Sequence, residues 1–236
     1  MHTVGIRPVV VHGGGPQINE MLSRLNIESN FVNGLRVTDE ATMQVVQMVL
    51  NGSVNPQIVS AINVHGNVAV GLSGEDGRTL QVTPRDISLG FVGDIEKVRT
   101  HVIDGLLADG LVPVLSTVGV DVNGQPYNIN ADTAAGAIAE ALGAEKIVYL
   151  TDIAGLRKDI DDANSLIQRI TVDELSALIA DGTISGGMIP KVESCMQAVR
   201  GGVKSAHILD GRIAHVLLLE LFTDQGVGTM ITGVKQ

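Results

Sequence analysis

Short runs of consecutive aliphatic residues alternate along this chain with longer segments whose apolar positions recur every three or four residues. Val9-Val10-Val11 reads as a buried strand because β-branched side chains fit a pleated surface. A helix follows from Pro16, with Ile18, Met21, Leu22 and Leu25 on one stripe. Residues 40–50 predict a second helix, with Ala41, Val45, Met48 and Val49 on its apolar side. A short strand is expected over 68–72, and a polar-edged hairpin over 79–83 and 90–95. The amphipathic segment 98–108 feeds a buried strand over 111–118 that contains Pro113. An alanine-rich helix is expected over 130–142, then a strand over 146–151 closing in the turn Asp152-Ile153-Ala154-Gly155. Helices over 172–180 and 190–199 follow, the second with Val192, Cys195, Met196 and Val199 on one face. A strand over 203–209, a helix around 215–221 and a strand over 228–232 finish the pattern. Such alternation predicts an α/β fold with a mostly parallel sheet covered on both faces. The chain shows no internal repeat, low-complexity tract or long linker, and a change of lobe is expected near Gly143-Ala144-Glu145.

The first strand ends in His12-Gly13-Gly14-Gly15-Pro16. A strand, a turn stripped of side chains and a helix N-terminus together direct unpaired backbone N–H groups at one point, a ready place for phosphate or carboxylate. The alternative is a tight strand-to-helix turn with no ligand. Neither common glycine-rich motif matches. The P-loop needs Lys and Ser/Thr after its second Gly, where Pro16, Gln17 and Ile18 follow Gly15; the dinucleotide fingerprint needs Gly where Ile18 stands.

Composition narrows the chemistry. With 236 residues and 44% hydrophobic content the chain can bury a substantial core, and 28 glycines with 2% aromatics point to aliphatic packing and many tight turns. A net charge of −10 argues against a nucleic-acid or membrane-surface partner, so an anionic substrate must be met by a few local cations. Cys195 is the only cysteine, which excludes an internal disulfide and suits a reducing cytoplasm. No secretory leader pattern opens the chain and no apolar run is long enough to span a bilayer. The six histidines form no zinc-type cluster.

In parallel sheets ligands sit beyond the carboxyl ends of the strands. His12-Gly13-Gly14-Gly15, the segment 116–119 and the segment 151–155 end strands in that position. Beside them stand Asn33-Gly34-Leu35-Arg36-Val37-Thr38, Asn128-Ile129-Asn130-Ala131-Asp132 and Gly186-Gly187-Met188-Ile189-Pro190-Lys191. Each has a plain alternative: Arg36 as a surface charge, Asn130 as an N-cap, Asp132 as a first-turn acid favoured by the helix dipole. Lys191 is less easily explained, because a cation at a helix N-terminus opposes the dipole.

Taken in order, His12-Gly13-Gly14-Gly15 and the segments 33–38, 128–132, 152–155 and 187–191 resemble the N-acetylglutamate kinases of the amino-acid kinase superfamily, and the resemblance runs from Val4 to Thr232. It implies a three-layer αβα sandwich, carbamate kinase-like, with residues 1–143 holding the amino acid and 144–236 the nucleotide. It implies phosphoryl transfer from ATP, with Mg2+ held mainly by phosphate oxygens, to the side-chain carboxylate of N-acetyl-L-glutamate, the second step of arginine biosynthesis. Gly14 and Gly15 would offer N–H groups to substrate and phosphoryl, and Arg36 would grip the α-carboxylate. Asn128 and Asn130 would bind substrate, Asp132 would orient the catalytic lysines and Lys191 would stabilise the transferring phosphoryl. Thr151, Asp152, Gly155, Leu156, Thr183 and Ser185 would border the nucleotide. The segments 207–212 and 220–229 are similar to those of arginine-inhibited members, which places an arginine pocket at His207, Glu220 and Gly226. A homo-oligomer is expected, a dimer or, with an additional N-terminal helix, a hexamer.

The family opens with a strand ending in Lys and Gly-Gly, and no such strand precedes Val9. Residues 1–7 look like the end of the following helix, so the first βα unit is expected to be missing and the chain to be a fragment or late start of a kinase. Two alternatives stay open: a sibling such as glutamate 5-kinase, aspartate kinase or carbamate kinase, and a non-catalytic binding relative.

Overall fold

The structure, a computed structural model, describes residues 5–32, 34–159, 162–184, 188–222 and 226–233. Asn33, Ser185, Gly186, Gly187 and residues 223–225 of the segments singled out above therefore lie outside the described residues, as do residues 1–4. The chain divides into two compact units, Met1–Ala134 and Ala135–Gln236.

The first unit opens with β1 (Val10–His12) and α1 (Gly15–Arg24), followed by the short antiparallel pair β2 (Phe31–Val32) and β3 (Leu35–Arg36). Next come α2 (Glu40–Val49), a π-helical turn Leu50–Val54 and α3 (Asn55–Asn63). The unit continues through β4 (Ala69–Ser73), β5 (Leu80–Pro84), β6 (Gly93–Val98), α4 (His101–Ala108), β7 (Val112–Ser116), β8 (Val118–Val120) and β9 (Pro126–Asn128). Helix α5 (Ala131–Ala141) begins in this unit. Strands β1, β7 and β4 form a parallel sheet with β7 in the centre and every residue of β7 buried. Pro113 is tolerated there because the ladder to β1 starts only at Val10↔Val114. A second sheet, in the order β6-β5-β8-β9, is mainly antiparallel. Asp39 caps α2 by accepting the Thr42 N–H at 2.8 Å.

Two details differ from the sequence pattern. Leu25, at 49% exposure, lies just past the last residue of α1, where the helical period no longer applies. The buried face of α2 is Thr42, Met43, Val45, Val46 and Val49, while Met48 is 55% exposed and Ala41 is exposed. The helix has apolar residues on more than one face, and packing with Ile18 and Leu22 of α1 and with Leu50 and Val54 selects which is buried.

The second unit continues α5 and adds β10 (Lys146–Thr151), β11 (Arg169–Thr171), α6 (Val172–Ala180), α7 (Met188–Arg200), β12 (Ser205–Asp210), α8 (Val216–Phe222) and β13 (Thr229–Thr232). Its sheet runs β10-β12-β13-β11, with β12 and β13 antiparallel and the two outer pairs parallel. Thr171 and Glu174 form a reciprocal capping box at the start of α6. Val192, Cys195, Met196 and Val199 of α7 enter the core beside Ala206 and Ile208 of β12. Among the described residues no helix is long and apolar enough to cross a membrane.

Candidate active site

A concavity in the first unit opens beyond the carboxyl ends of β1 and β7, a cavity of about 200 Å³. Gly13, Gly14, Gly15, Arg36, Thr117, Asn128 and Asn130 line it. The glycine turn works by close approach. A Cβ on Gly14 would stand 2.7 Å from Leu50 Cδ2 and 3.1 Å from Val54 Cγ2, so the π-helical turn lies directly against the backbone. A Cβ on Gly13 would meet Ala131 Cβ at 3.1 Å, whereas one on Gly15 would project into open space. Pro16 stands in the first turn of α1, where its missing N–H costs nothing. The first N–H groups of that helix have no carbonyl one turn back.

Arg36, on β3, is 7% exposed, so the surface-charge alternative does not hold. Its Nη1 donates to Asn19 Oδ1 at 2.6 Å and to Ser29 Oγ, and its Nη2 donates to the Gly15 carbonyl at 3.3 Å. The guanidinium also lies over the Phe31 ring, 4.6 Å from its centre. All of these partners are neutral, and burial lowers the guanidinium pKa from its ordinary value. Holding a cation in place while leaving it uncompensated by these neighbours favours an anion in the cavity. Asn19, Ser29 and Phe31 were not singled out from the sequence. Asn19 falls one helical turn after Gly15, a polar position beside the apolar stripe of α1, which was the available signal.

Asn128 donates from Nδ2 to Thr38 Oγ1 at 3.3 Å, and Thr38 Oγ1 in turn donates to the Arg36 carbonyl at 2.9 Å. Asn130 caps α5, its Oδ1 accepting the Thr133 N–H at 3.0 Å, and it lines the cavity as well. Asn130 is thus a helix cap that also faces the cavity. Asp132 stands in the first turn of α5 and is not among the lining residues.

In the second unit, Thr151 ends β10 in register with Asp210 at the end of β12. The Thr151 carbonyl accepts the Gly211 N–H at 2.8 Å, and Thr151 Oγ1 accepts the Ile153 N–H at 3.1 Å. Asp152 is exposed. Gly155 adopts φ +144°, and its Leu156 neighbour donates its N–H to Thr229 Oγ1 at 2.8 Å while its side chain enters the core. Thr183 is exposed and donates its N–H to Asp181. Arg212 grips Asp210 through Nε and Nη2, both at 2.8 Å, which holds the Asp210 carboxyl down at about 2. Lys191 stands in the first turn of α7, its ammonium 5.4 Å from the centre of the Tyr149 ring.

His207, Glu220 and Gly226 do come together. Glu220 Oε1 accepts from His207 Nδ1 at 2.7 Å and Oε2 accepts the Val227 N–H at 2.9 Å, with both side chains of the pair under 5% exposed. Burial lowers the His207 pKa, and the hydrogen bond and charge of Glu220 oppose that shift. Glu220 is thus a satisfied buried group rather than an exposed helix residue.

The family model described as the amino acid kinase family matches residues 1–210. The chain belongs to the amino acid kinase family. An acetylglutamate kinase of Thermosynechococcus vestitus is 57% identical over 231 residues, covering 98% of this chain and 78% of that relative. The N-acetylglutamate synthase from Neisseria gonorrhoeae, complexed with coenzyme A and N-acetyl-glutamate, is 28% identical with a TM-score of 0.86, covering 100% of this chain and 54% of that one. Carbamate kinase from Giardia lamblia bound to AMP-PNP is 17% identical with a TM-score of 0.74, covering 99% of this chain and 85% of the other, and shows the shared fold. The amino acid kinase fold, with its αβα layering, accounts for the parallel strand pairs of both units.

Proposed function

We propose that the chain transfers the γ-phosphoryl group of MgATP to the side-chain carboxylate of N-acetyl-L-glutamate. The product is N-acetyl-L-glutamyl 5-phosphate, and the step is the second of arginine biosynthesis. The observation that carries the reading is Arg36, a buried cation whose hydrogen-bond partners among the described residues are neutral groups, in a glycine-lined cavity. A guanidinium meets the α-carboxylate with two parallel bonds, and Asn128 and Asn130 supply polar contacts at the same cavity.

The nucleophile is already a carboxylate, so the reaction needs no general base. A carboxylate oxygen bonds to the γ-phosphorus as the bond to the β-phosphate oxygen breaks, and ADP leaves. Catalysis is positioning and charge stabilisation. Gly14 and Gly15 would turn N–H groups to the moving phosphoryl, Lys191 would stabilise its charge and Asp132 would orient the cationic side chains. Thr151, Asp152, Gly155, Leu156 and Thr183 would border the nucleotide, with Mg2+ carried on its phosphates.

The test is ADP release and hydroxylamine trapping of the acyl phosphate, run with N-acetylglutamate, glutamate, aspartate and carbamate. Turnover with N-acetylglutamate alone supports the reading; turnover with another acceptor moves the chain to a sibling activity, and binding without turnover makes it a ligand-binding relative. The reading extends to regulation by arginine, whose guanidinium would meet Glu220 after displacing His207. Arginine inhibition that survives Glu220→Gln refutes that placement.

A further inference from the structure

His12 is buried at the end of β1, immediately before the glycine turn, yet it is not among the residues lining the cavity. Its Nε2 lies 3.0 Å from Asn55 Nδ2 and its Nδ1 lies 2.9 Å from the Gly13 carbonyl oxygen. The Asn55 amide is oriented by two backbone carbonyls, since its Nδ2 also donates to Val114 O at 2.8 Å and Leu72 O at 3.3 Å. Because the Gly13 carbonyl can only accept, Nδ1 carries the proton and donates to it, and Nε2 is left as an acceptor facing the Asn55 amide, whose two hydrogens are shared among three acceptors. Burial lowers the His12 pKa below its ordinary 6.5, in keeping with a neutral ring.

That single bond fixes a direction. In a trans peptide the C=O and the following N–H point opposite ways across one rigid plane. Drawing the Gly13 carbonyl back to the buried ring therefore turns the Gly14 N–H away from it. Gly14 cannot yield by translation, because Leu50 and Val54 stand against its α-carbon. The Gly15 N–H is oriented separately, since the Gly14 carbonyl accepts the Ile18 N–H at 2.9 Å within α1.

We propose that His12 is a positioning residue, whose Nδ1–H holds the Gly13 carbonyl so that the Gly14 N–H faces the cavity where the transferring group is bound. This rests on the phosphoryl-transfer reading for its catalytic consequence, but the geometry stands without it. Two substitutions separate the two ring nitrogens. His12→Asn puts an amide donor where Nδ1 stands and gives up the acceptor at Nε2. Asn55 tolerates that loss, because two hydrogens remain for two carbonyls. His12→Gln keeps an acceptor for Asn55 and gives up the donor to Gly13.

The experiment has two arms. In the ligand-free protein, long-range 1H–15N spectra report the His12 tautomer, and the Gly14 amide resonance reports the turn. The expected result is the Nδ1–H tautomer, with the Gly14 amide moved in His12→Gln and near its wild-type position in His12→Asn. In the kinetic arm, kcat falls roughly tenfold to a hundredfold in His12→Gln, with KM for N-acetylglutamate little changed, and recovers in His12→Asn, while the two variants melt at similar temperatures. An Nε2–H tautomer, or equal loss in both variants with the Gly14 amide unmoved, overturns the proposal. If the spectra behave as expected but the wild-type protein phosphorylates no N-acetylglutamate, the positioning role stands and the functional reading is what fails.

Discussion

Replacing Arg36 by Lys keeps the charge and removes the fork. In the structure one guanidinium reaches Asn19, Ser29 and the Gly15 carbonyl while its face rests on Phe31. An ammonium on a shorter stem has no planar face for the ring and no paired N–H groups for a carboxylate. The substrate's α-carboxylate is charged before, during and after phosphoryl transfer. The lost interaction is therefore one of uniform binding, and it belongs in KM rather than in kcat. Hydrogen bonds to charged groups are worth about 1.5–3 kcal/mol. At 1.4 kcal/mol per tenfold, that range corresponds to a rise of about 10- to 150-fold in KM for N-acetylglutamate. A coupled ADP assay, varying each substrate at saturation of the other, measures both constants. The expected outcome is a large shift in the N-acetylglutamate dependence, kcat within about threefold by the same reasoning, and an unchanged ATP dependence. A shift confined to ATP would show that Arg36 serves the nucleotide and that its neutral surroundings have been misread.

Lys191→Met should behave in the opposite way, with kcat falling by ~10²–10³ and the substrate half-saturation values changing little, because the charge it would stabilise develops on the moving phosphoryl. Near-normal turnover in that variant would remove Lys191 from the mechanism. Gly14→Ala should destabilise the fold by about 1–3 kcal/mol, since its Cβ would press on Leu50 at 2.7 Å, and urea unfolding at unchanged slope would report it. Acid should weaken the fold earlier than the carboxylates alone would. Burial lowers the pKa of His12 and of His207, where Glu220 opposes the shift and Lys146 adds to it, so the unfolded chain binds those protons first. Their contribution is complete above the unfolded value of 6.5 and is lost as the pH falls toward the folded values, at up to about 1.4 kcal/mol per pH unit for each group. Urea midpoints at pH 7.5 and 5.5 should therefore differ in the wild type and differ less in His12→Asn; equal midpoints at both pH values would contradict the burial argument.

Strand β10 was legible to the residue over Lys146–Thr151, and so was helix α6 over Val172–Ala180. β10 lies at the edge of its sheet, with Ile147 and Tyr149 buried and Leu150 exposed, so its β-branched and aromatic residues rather than full burial carried the signal. The two-residue strands β2 and β3 carry no period at all; they pair Phe31 with Arg36, whose guanidinium lies over the Phe31 ring. The cavity itself was half visible. Gly14, Gly15, Arg36, Asn128 and Asn130 could be named because glycine, arginine and asparagine have chemistry that outlasts ignorance of the fold. Asn19, Ser29 and Asn55 could not, since an amide or hydroxyl on a helix or loop looks like any solvated polar residue until something buried stands opposite it. The helical continuation past Leu50, through the wide turn and α3, was also missed, for hydrophobic spacing does not distinguish a wide turn from a regular one.

The wide turn Leu50–Val54 absorbs one extra residue without turning the helix that follows it. A π-helical turn holds one more residue than the α-helical pattern around it. Deleting a single residue there, Gly52 for example, would relax it to an ordinary helix and leave α3 with nearly its present face toward the sheet. Asn55 would keep its place beside the His12 ring and the Val114 carbonyl, while the bulge that presses Leu50 and Val54 on Gly14 would be gone. A one-residue gap between Val49 and Asn55 is thus a length change that α3 can accept, and its cost falls on the glycine turn. A gap at that point in any aligned relative would mark a protein that secures its glycine turn by other means.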